Sequence, residues 1–468
     1  MKPLVSLLLL PLLLIATDGE ARRLPSSLAD DVIHVVANEE EWSQIVDLHT
    51  GVPFLERQTL EMALSWRNPA PAVSGIGTRK EGWNSRLIRE LSSNAQRTVW
   101  TLHVQDHVSG SLLDSLFLPS LRDCLEAPSE GSWPGRVLKQ AGVGVSIAST
   151  ERPQTFQINL SQPVGVVPTL LEGCQLSPGS PLAPYVLTDG VLTAQSGVPG
   201  RGTLIRRIRR AVNAERADLQ MDAAIAGRRS SQIEGPSDVV LLLVAQALQK
   251  GDILGLDGLS SDQRGERLAI APLLAALHRG RGSVTSRLLP SGVGFNLPLK
   301  SLSSPNTPPQ SIALSNAAPA LSSSMLPISW PEDDELLGQL AQRLALLACA
   351  PERQCVRGTG GLRLLRFRPQ SQDPAIALLE LAAESPALQA TSQGNLADPR
   401  LLSADPSSRI EAALELEQVW LESKLILPLL TTQHWLAVNS SLRGVRLGTP
   451  GVPRLLDAWT TTTKGVGP

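Results

Sequence analysis

Apolar and charged positions alternate most legibly between Gly361 and Ser385. Leu362, Leu364 and Phe367 are interleaved with Arg363, Arg366 and Arg368, with one slip at Leu364–Leu365, and this pattern predicts a strand. Asp373 then precedes Pro374. The aspartate oxygen can accept from the free amides of a first helical turn, and proline at the next position gives up no donor the helix needs. Ile376, Leu379 and Ala383 follow at helical spacing. Strand, polar loop and helix in that order put the loop at the carboxyl end of a strand, where open α/β sheets bind ligands.

The same reading extends to the rest of the chain. Val32 to Ala37, Thr98 to Val104, Val143 to Ala148, Thr155 to Leu160 and Leu425 to Leu430 are expected as strands. Asn38 before Glu39-Glu40-Glu41 is a helix start. Helices are expected from Phe54 to Trp66, Leu112 to Leu125, Pro168 to Glu172, Glu266 to Arg279 and Arg409 to Glu422. Tyr185-Val186-Leu187 leads to a hairpin turn at Asp189-Gly190. Val239 to Ala247 is a buried strand or a helix start. Ser301 to Ser329 is rich in serine and proline and predicts either a long surface loop or a poorly ordered crossing. Ser329-Trp330-Pro331-Glu332 has the form of a capping box for a helix carrying Leu336, Leu340, Leu344 and Leu347 on one face. Strands and helices alternate throughout, so the fold class is α/β or mixed.

The chain has 468 residues, 42% of them hydrophobic, which suits two or three lobes. A formal net charge of −2 gives no reason to expect nucleic acid or an anionic membrane surface as a partner. Arg206, Arg207, Arg209 and Arg210 stand close together without interleaved aromatics, which predicts a solvated helix face. Lys2, the apolar run Leu4 to Ala16 and the small residues of Gly19-Glu20-Ala21 form a secretory leader over residues 1–21, with no lipobox cysteine behind it. No later run is long and apolar enough to span a membrane, so an exported, periplasmic or secreted monomer is expected. In that compartment Cys349 and Cys355 could close a short loop, and Cys124 and Cys174 would then form the other pair. No CxxC and no neighbouring histidine suggests a metal site at either pair.

Catalytic motifs are missing. Gly144-Val145-Ser146-Ile147-Ala148 falls one residue short of a nucleophile elbow and lies in a strand-like run. Gly142 and Gly144 lack the third glycine of a dinucleotide loop. His103 and His107 on a strand would stand about 13 Å apart. His34, His49, His278 and His434 are single histidines without a partner in the sequence. No nucleophile–base set can be named and no cofactor is called for, so the expected protein is not an enzyme.

Several stretches in order resemble the periplasmic solute-binding proteins of ABC importers, oligopeptide/dipeptide class (family five). Thr98-Val-Trp-Thr-Leu-His-Val-Gln-Asp106 resembles that family's "w-t-f-x-L-R" strand, and Phe156-Gln-Ile-Asn-Leu-Ser-Gln-Pro163 its strand before a closing helix. Pro184-Tyr185 stands where the family has G-T-G-P-Y. Arg267-Leu-Ala269, Gly280-Arg-Gly282 and Leu288-Leu289-Pro290 resemble its R-x-A helix and the segment after it. Asp373-Pro374, Ile426-Leu427-Pro428-Leu429 and Arg443-Gly444-Val445 are similar to its second-lobe end and C-terminal return. The resemblance implies a two-lobed fold with mixed sheets and an inter-lobe cleft. Lobe I would hold 22–238 and 405–468, and lobe II 239–404. It implies a small-molecule or peptide ligand, hinge closure and an ABC permease partner, with Gln370, Tyr185 and Trp435 as cleft residues. The alternatives are a binding-protein-like scaffold that has lost transport, or a secreted hydrolase. The family's ammonium-binding aspartate in A-D-Y-x-D-P falls on Gln370, and a neutral amide cannot supply the charge-assisted bond a carboxylate gives.

Overall fold

The computed structural model describes residues 32–37, 39, 42–43, 45–46, 64–66, 83–85, 88–104, 106, 110–126, 132–174, 185–194, 207–211, 218–221, 230–245, 256, 259–290, 293, 325–348, 354–440, 442–447, 453–455 and 458–460. The expected leader at 1–21, the helix start at Asn38, His49, His107, Cys349 and the serine/proline stretch 301–324 lie outside the described residues.

The described chain opens with β1 (Val32–Val36). A separate four-stranded antiparallel sheet follows, built from β2 (Ile88–Ser93), β3 (Val99–Val104), β4 (Val145–Ser149) and β5 (Thr155–Leu160) in the order β2-β3-β5-β4. Helices α1 (Leu118–Leu125), α2 (Trp133–Gln140) and α3 (Val167–Glu172) accompany it. β6 (Tyr185–Thr188), β7 (Val191–Ala194), β8 (Arg207–Ala211) and β9 (Leu219–Met221) then join β1. The fifteen-residue β10 (Ser230–Val244) leads into α4 (Ser261–Arg267), α5 (Ile270–His278), β11 (Gly282–Val284), β12 (Met325–Ser329), α6 (Glu335–Ala348) and β13 (Gln354–Arg357). β14 (Leu362–Phe367), α7 (Pro374–Ala383) and α8 (Pro406–Ser423) precede β15 (Ile426–Asn439), which runs back beside β10. The large sheet has eleven strands in the order β13-β12-β14-β10-β15-β9-β1-β8-β7-β6, with β11 also paired to β15.

Among the described residues three large apolar cores and one small one, at Trp435 and Ala437, sit on this frame. Leu242 and Val244 of β10 pack with Leu273 of α5 and Leu336, Leu340 and Leu344 of α6. Val239, Leu241 and Leu243 point the other way, onto α7 and α8, as strand alternation requires. Ile33, Val35, Ile208 and Leu219 form a third core with Leu436 and Val438 of β15. The unit over 88–174 is not isolated. Its Val137, Leu138 and Leu170 share one core with α7 and α8, the Gly165 amide donates to the Leu402 carbonyl at 2.7 Å, and Arg136 pairs with Glu384 at 3.5 Å. Cys124 at the end of α1 is disulfide-bonded to Cys174, and Cys355 is also disulfide-bonded.

Several local expectations change. Leu64–Trp66, placed in a helix by the sequence pattern, is a strand paired antiparallel with Trp83–Ser85. Arg207, Arg209 and Arg210 of the arginine cluster lie on the strand β8, and Arg206 lies outside the described residues: Ile208 is buried between exposed Arg207 and Arg209, a period of two that the charge density conceals. The helix expected from Glu266 to Arg279 is broken at Ala269, which has φ +48°, and Arg343 on α6 donates to the carbonyls of Leu268 (2.7 Å) and Ala269. Ser329 ends β12, and the cap of α6 is Asp334, whose Oδ1 accepts from the Leu337 amide at 3.1 Å. The strand expected to stop at Leu430 continues to Asn439. Asp189 and Gly190 both have positive φ, +51° and +73°, as the β6–β7 turn requires.

Candidate functional site

The register of the large sheet gathers strand ends at one place. β14 runs antiparallel to β10 from Leu362 opposite Val244 to Phe367 opposite Val239, so it ends beside Asp238. β9 runs antiparallel to β15 and ends with Met221 opposite Leu436. β1, parallel to β9, ends with Val36 opposite Gln220. The carboxyl ends of β1, β9 and β14 therefore converge on the middle of the β10–β15 pair, the position where open α/β sheets place ligands.

That middle is polar. Val239–Val244 and Ile426–Leu430 lie in the cores on one side, and Trp435–Val438 are buried on the other. Between them stand Ser237 and Asp238 on β10, and Thr431, Thr432, Gln433 and His434 on β15. The register shifts between Glu234 and Ser237, so Gly235 and Pro236 face the single residue His434 in a bulge. A Cβ on Gly235 would lie 3.0 Å from Leu447 Cδ1 and 3.1 Å from the His434 carbonyl oxygen, so a side chain there would crowd both.

One charged cluster occupies this waist. Asp238, with 0% of its side chain exposed, accepts from Arg368 Nε on Oδ1 at 2.5 Å and from Arg368 Nη2 on Oδ2 at 2.9 Å. His434 Nε2 lies 3.0 Å from Asp238 Oδ2 and 2.6 Å from Arg368 Nη2. Burial alone would push the Asp238 carboxyl up. The hydrogen bonds from His434 and Arg368, and the charges behind them, more than offset that and hold it well below the usual carboxylate range. Arg368 stands at the end of β14 and is 31% exposed, so the fork reaches from a fully buried acid to the surface of the waist.

The loop after Arg368 is fixed from below. Glu380 of α7 accepts from the amides of Gln370 (2.7 Å) and Ser371 (3.1 Å), while Asp373 caps α7 through the amides of Ala375 and Ile376 and pairs with Arg409 at 2.7 Å. Gln370 thus sits two residues beyond the cluster, partly exposed, and its carboxamide makes no hydrogen bond among the described residues. Trp435 is at the waist but only 3% exposed, with the Arg281 guanidinium 4.2 Å from its ring centroid. Arg281 in turn donates to Gln232 Oε1 at 3.1 Å. Tyr185 stands apart from both. It opens β6 at the sheet edge, paired with Ala194, five strands and roughly 24 Å from β15.

The sequence reading missed Asp238, Arg368 and His434. Arg368 looks like one more outward charge, and His434 like a lone histidine. The available signal is the interruption of two apolar runs, at Ser237-Asp238 and at Thr431–His434. Two other described histidines are also engaged: His34 lies 3.7 Å from Asp218, and His103 Nδ1 lies 3.1 Å from Thr155 Oγ1. Among the described residues no group of three or more His, Cys, Asp or Glu could hold a metal ion, and no helix is long and apolar enough to cross a membrane.

Two half-sheets joined by a long strand pair, with strand ends meeting at the join, make up the fold of the two-lobed periplasmic solute-binding proteins, and solved structures of that class share it over most of the chain. NikA from Brucella suis, in complex with Fe(III)-EDTA, is similar with a TM-score of 0.60 at 11% identity, covering 92% of this chain and 100% of that one. A dipeptide-binding protein from a Pseudoalteromonas species, in complex with Met-Leu, gives 0.59 at 9% identity over 92% and 100%. The oligopeptide-binding protein AppA from Bacillus subtilis, in complex with a nonapeptide, gives 0.56 at 9% identity over 92% and 99%. No protein-family profile and no curated protein matches the sequence. The neighbours are binding proteins rather than enzymes.

Proposed function

We propose that the protein is an exported solute-binding protein that captures a small ligand at the β10–β15 waist and delivers it to an ABC importer. The observation that carries this is the convergence of the carboxyl ends of β1, β9 and β14 on a polar strand crossing. Two strands crossing between apolar halves form a natural hinge, because bending there disturbs neither core. We draw the outward lobe boundary at Gly235–Asp238, close to residue 238. The return we draw at Thr431–His434 rather than at 405, because Ala413 and Leu416 of α8 pack into the same core as Val239, Leu241 and Leu243 of β10, and we place the 88–174 unit, which shares that core, with the second lobe rather than with the first. Gln370 and the Arg281–Trp435 stack are the proposed ligand-facing groups, and Tyr185 is the least supported of the three candidates.

The test is calorimetric and fluorescence titration of purified protein against dipeptides, sugars and nickel chelates. Saturable binding to one class, weakened by Gln370→Ala or Arg281→Ala, supports delivery. Silence across all three removes it and leaves the scaffold reading. Gln370 favours ligands without an ammonium group, so unmodified dipeptides are expected to bind weakly. Gln370→Asp is expected to improve their affinity tenfold or more, within the range of one added charge-assisted bond of about 1.5–3 kcal/mol.

A further inference from the structure

Ala437 stands in a row that runs straight across four strands of the large sheet. Gln220 of β9 faces it on one side and Gln232 of β10 on the other, and Val36 of β1 lies beyond Gln220. Residues directly opposite in paired strands share a face, so both glutamines flank the alanine methyl. Trp435, two residues back along β15, shares that face and forms with Ala437 and Val36 the small apolar cluster apart from the three large cores. The row lies at the carboxyl ends of β1 and β9, next to the polar waist.

Two polar groups here lack the partners their chemistry calls for. Gln220 Oε1 is buried, and no donor reaches it among the described residues. A buried carbonyl oxygen is costly unless something donates to it. Arg281 is held over the Trp435 ring, and its Nη2 donates to Gln232 Oε1 at 3.1 Å. Glu234, opposite Trp435, is the nearest acid along the row; it is exposed, and no ion pair joins it to Arg281 among the described residues. The ring and Gln232 thus orient a partly buried guanidinium that no carboxylate neutralises.

We propose that Arg281, Gln232 and Gln220 form the selective end of the ligand site, and that they take a small acid with one carboxylate, a neutral N–H donor and no ammonium. This rests on reading the strand crossing as the place of ligand capture. The carboxylate accepts from Arg281, whose fork suits two parallel bonds. The N–H donates to Gln220 Oε1. Two strand spacings put the glutamines about 10 Å apart, enough for one ligand residue to lie between them. Ala437 is fully buried and Gln232 exposed, so the polar groups bordering the row receive the ligand, not a hole at its centre. Gln370 agrees with this choice, because a neutral carboxamide offers an ammonium no charge to pair with. N-acylated amino acids are the simplest ligands of this class.

The test is calorimetric titration of the full chain with N-acetylalanine, with N-acetylalaninamide, which lacks the carboxylate, and with propionate, which lacks the N–H. N-acetylalanine is expected to bind saturably, and each of the other two about tenfold more weakly or worse. Arg281→Gln should erase the preference for acid over amide, and Gln220→Leu the preference over propionate. Without any ligand, Gln220→Leu is expected to raise the urea midpoint, because it removes a buried oxygen that nothing satisfies. The wild-type series stands even where a variant folds poorly. Equal binding of acid and amide, an acid preference that survives Arg281→Gln, or a midpoint lowered by Gln220→Leu overturns the assignment. Saturable binding of a sugar or nickel chelate with none of the three probes overturns it and leaves delivery standing, whereas silence toward every class removes both.

Discussion

Arg368→Ala would leave the Asp238 carboxylate fully buried, with His434 as its remaining partner among the described residues. Two charge-assisted hydrogen bonds are lost, at about 1.5–3 kcal/mol each. Removing one member of a buried ion pair costs about 3–5 kcal/mol by a separate route. Arg368 is itself nearly a third exposed and His434 stays in place, so the low end applies, about 3 kcal/mol. That is a large share of the roughly 5–15 kcal/mol by which domains are stable. The loss is expected to depend on pH. The folded-state pKa of Asp238 is depressed, so its stabilisation is present above the unfolded value near 4 and fades as pH falls through and below it. Without Arg368, burial again acts to raise that pKa, and the gap between variant and wild type is widest near neutrality. Urea unfolding followed by tryptophan fluorescence at pH 7.5 and pH 3.5 measures it. A loss under about 1 kcal/mol at pH 7.5, or the same loss at both pH values, would refute the assignment of Asp238 as a buried, ion-paired carboxylate.

Three further outcomes are expected. Replacing both Cys124 and Cys174 by alanine opens a link across 50 residues and should cost about 4 kcal/mol by loop entropy, read as a shift in the urea midpoint at fixed slope. Gly165→Ala places a Cβ 2.2 Å from the Ala404 backbone nitrogen, so the 88–174 unit must part from the loop ahead of α8; a loss of about 1–3 kcal/mol and faster exchange at the Gly165 amide are expected. Asp373→Ala removes the cap of α7 and the Arg409 partner together, and should lower stability by about 1–2 kcal/mol, with Asp373→Asn restoring most of the cap but not the ion pair.

Segments where local chemistry decides the backbone were readable from sequence. Asp373-Pro374 caps α7, and Asp189-Gly190 turns β6 into β7, because caps and tight turns need particular residues at particular places. Elements decided by distant partners were not. β15 runs through Thr431–His434 only because β10 and β11 supply the other halves of its hydrogen bonds, so its polar middle looks like an end when seen alone. Arg207–Ala211 is a strand because β1 lies beside it, although its charges suggest a solvated helix. Ala269 interrupts α4 and α5 in a stretch of good helix formers, held by Arg343 from α6. For the candidate site, a motif and a strand-end rule point to Gln370, whereas Asp238, Arg368 and His434 are separated by at least 66 residues and meet only in the folded sheet. Tyr185 shows the converse, since a residue can align with a motif and still stand far from where the strand ends meet.

β10 and β15 are single continuous strands on either side of their crossing, and this makes each a lever with its fulcrum at the bulge. At about 3.3 Å per residue, the eight residues from the bulge to Val244 make an arm of roughly 26 Å and the five from Ser230 to the bulge one of roughly 17 Å. A change in strand twist of about 10°, within the ordinary spread between neighbouring strands, would then carry the far ends through roughly 5 Å and 3 Å. Among the described residues, the core shared by α7, α8 and the 88–174 unit loads one arm with more packed side chains than the other. If the proposed closure takes place, the lighter arm is expected to do most of the travelling. Distance labels that test it therefore belong on β8 and α7, at opposite ends of the lever, and not on the disulfide-bonded unit.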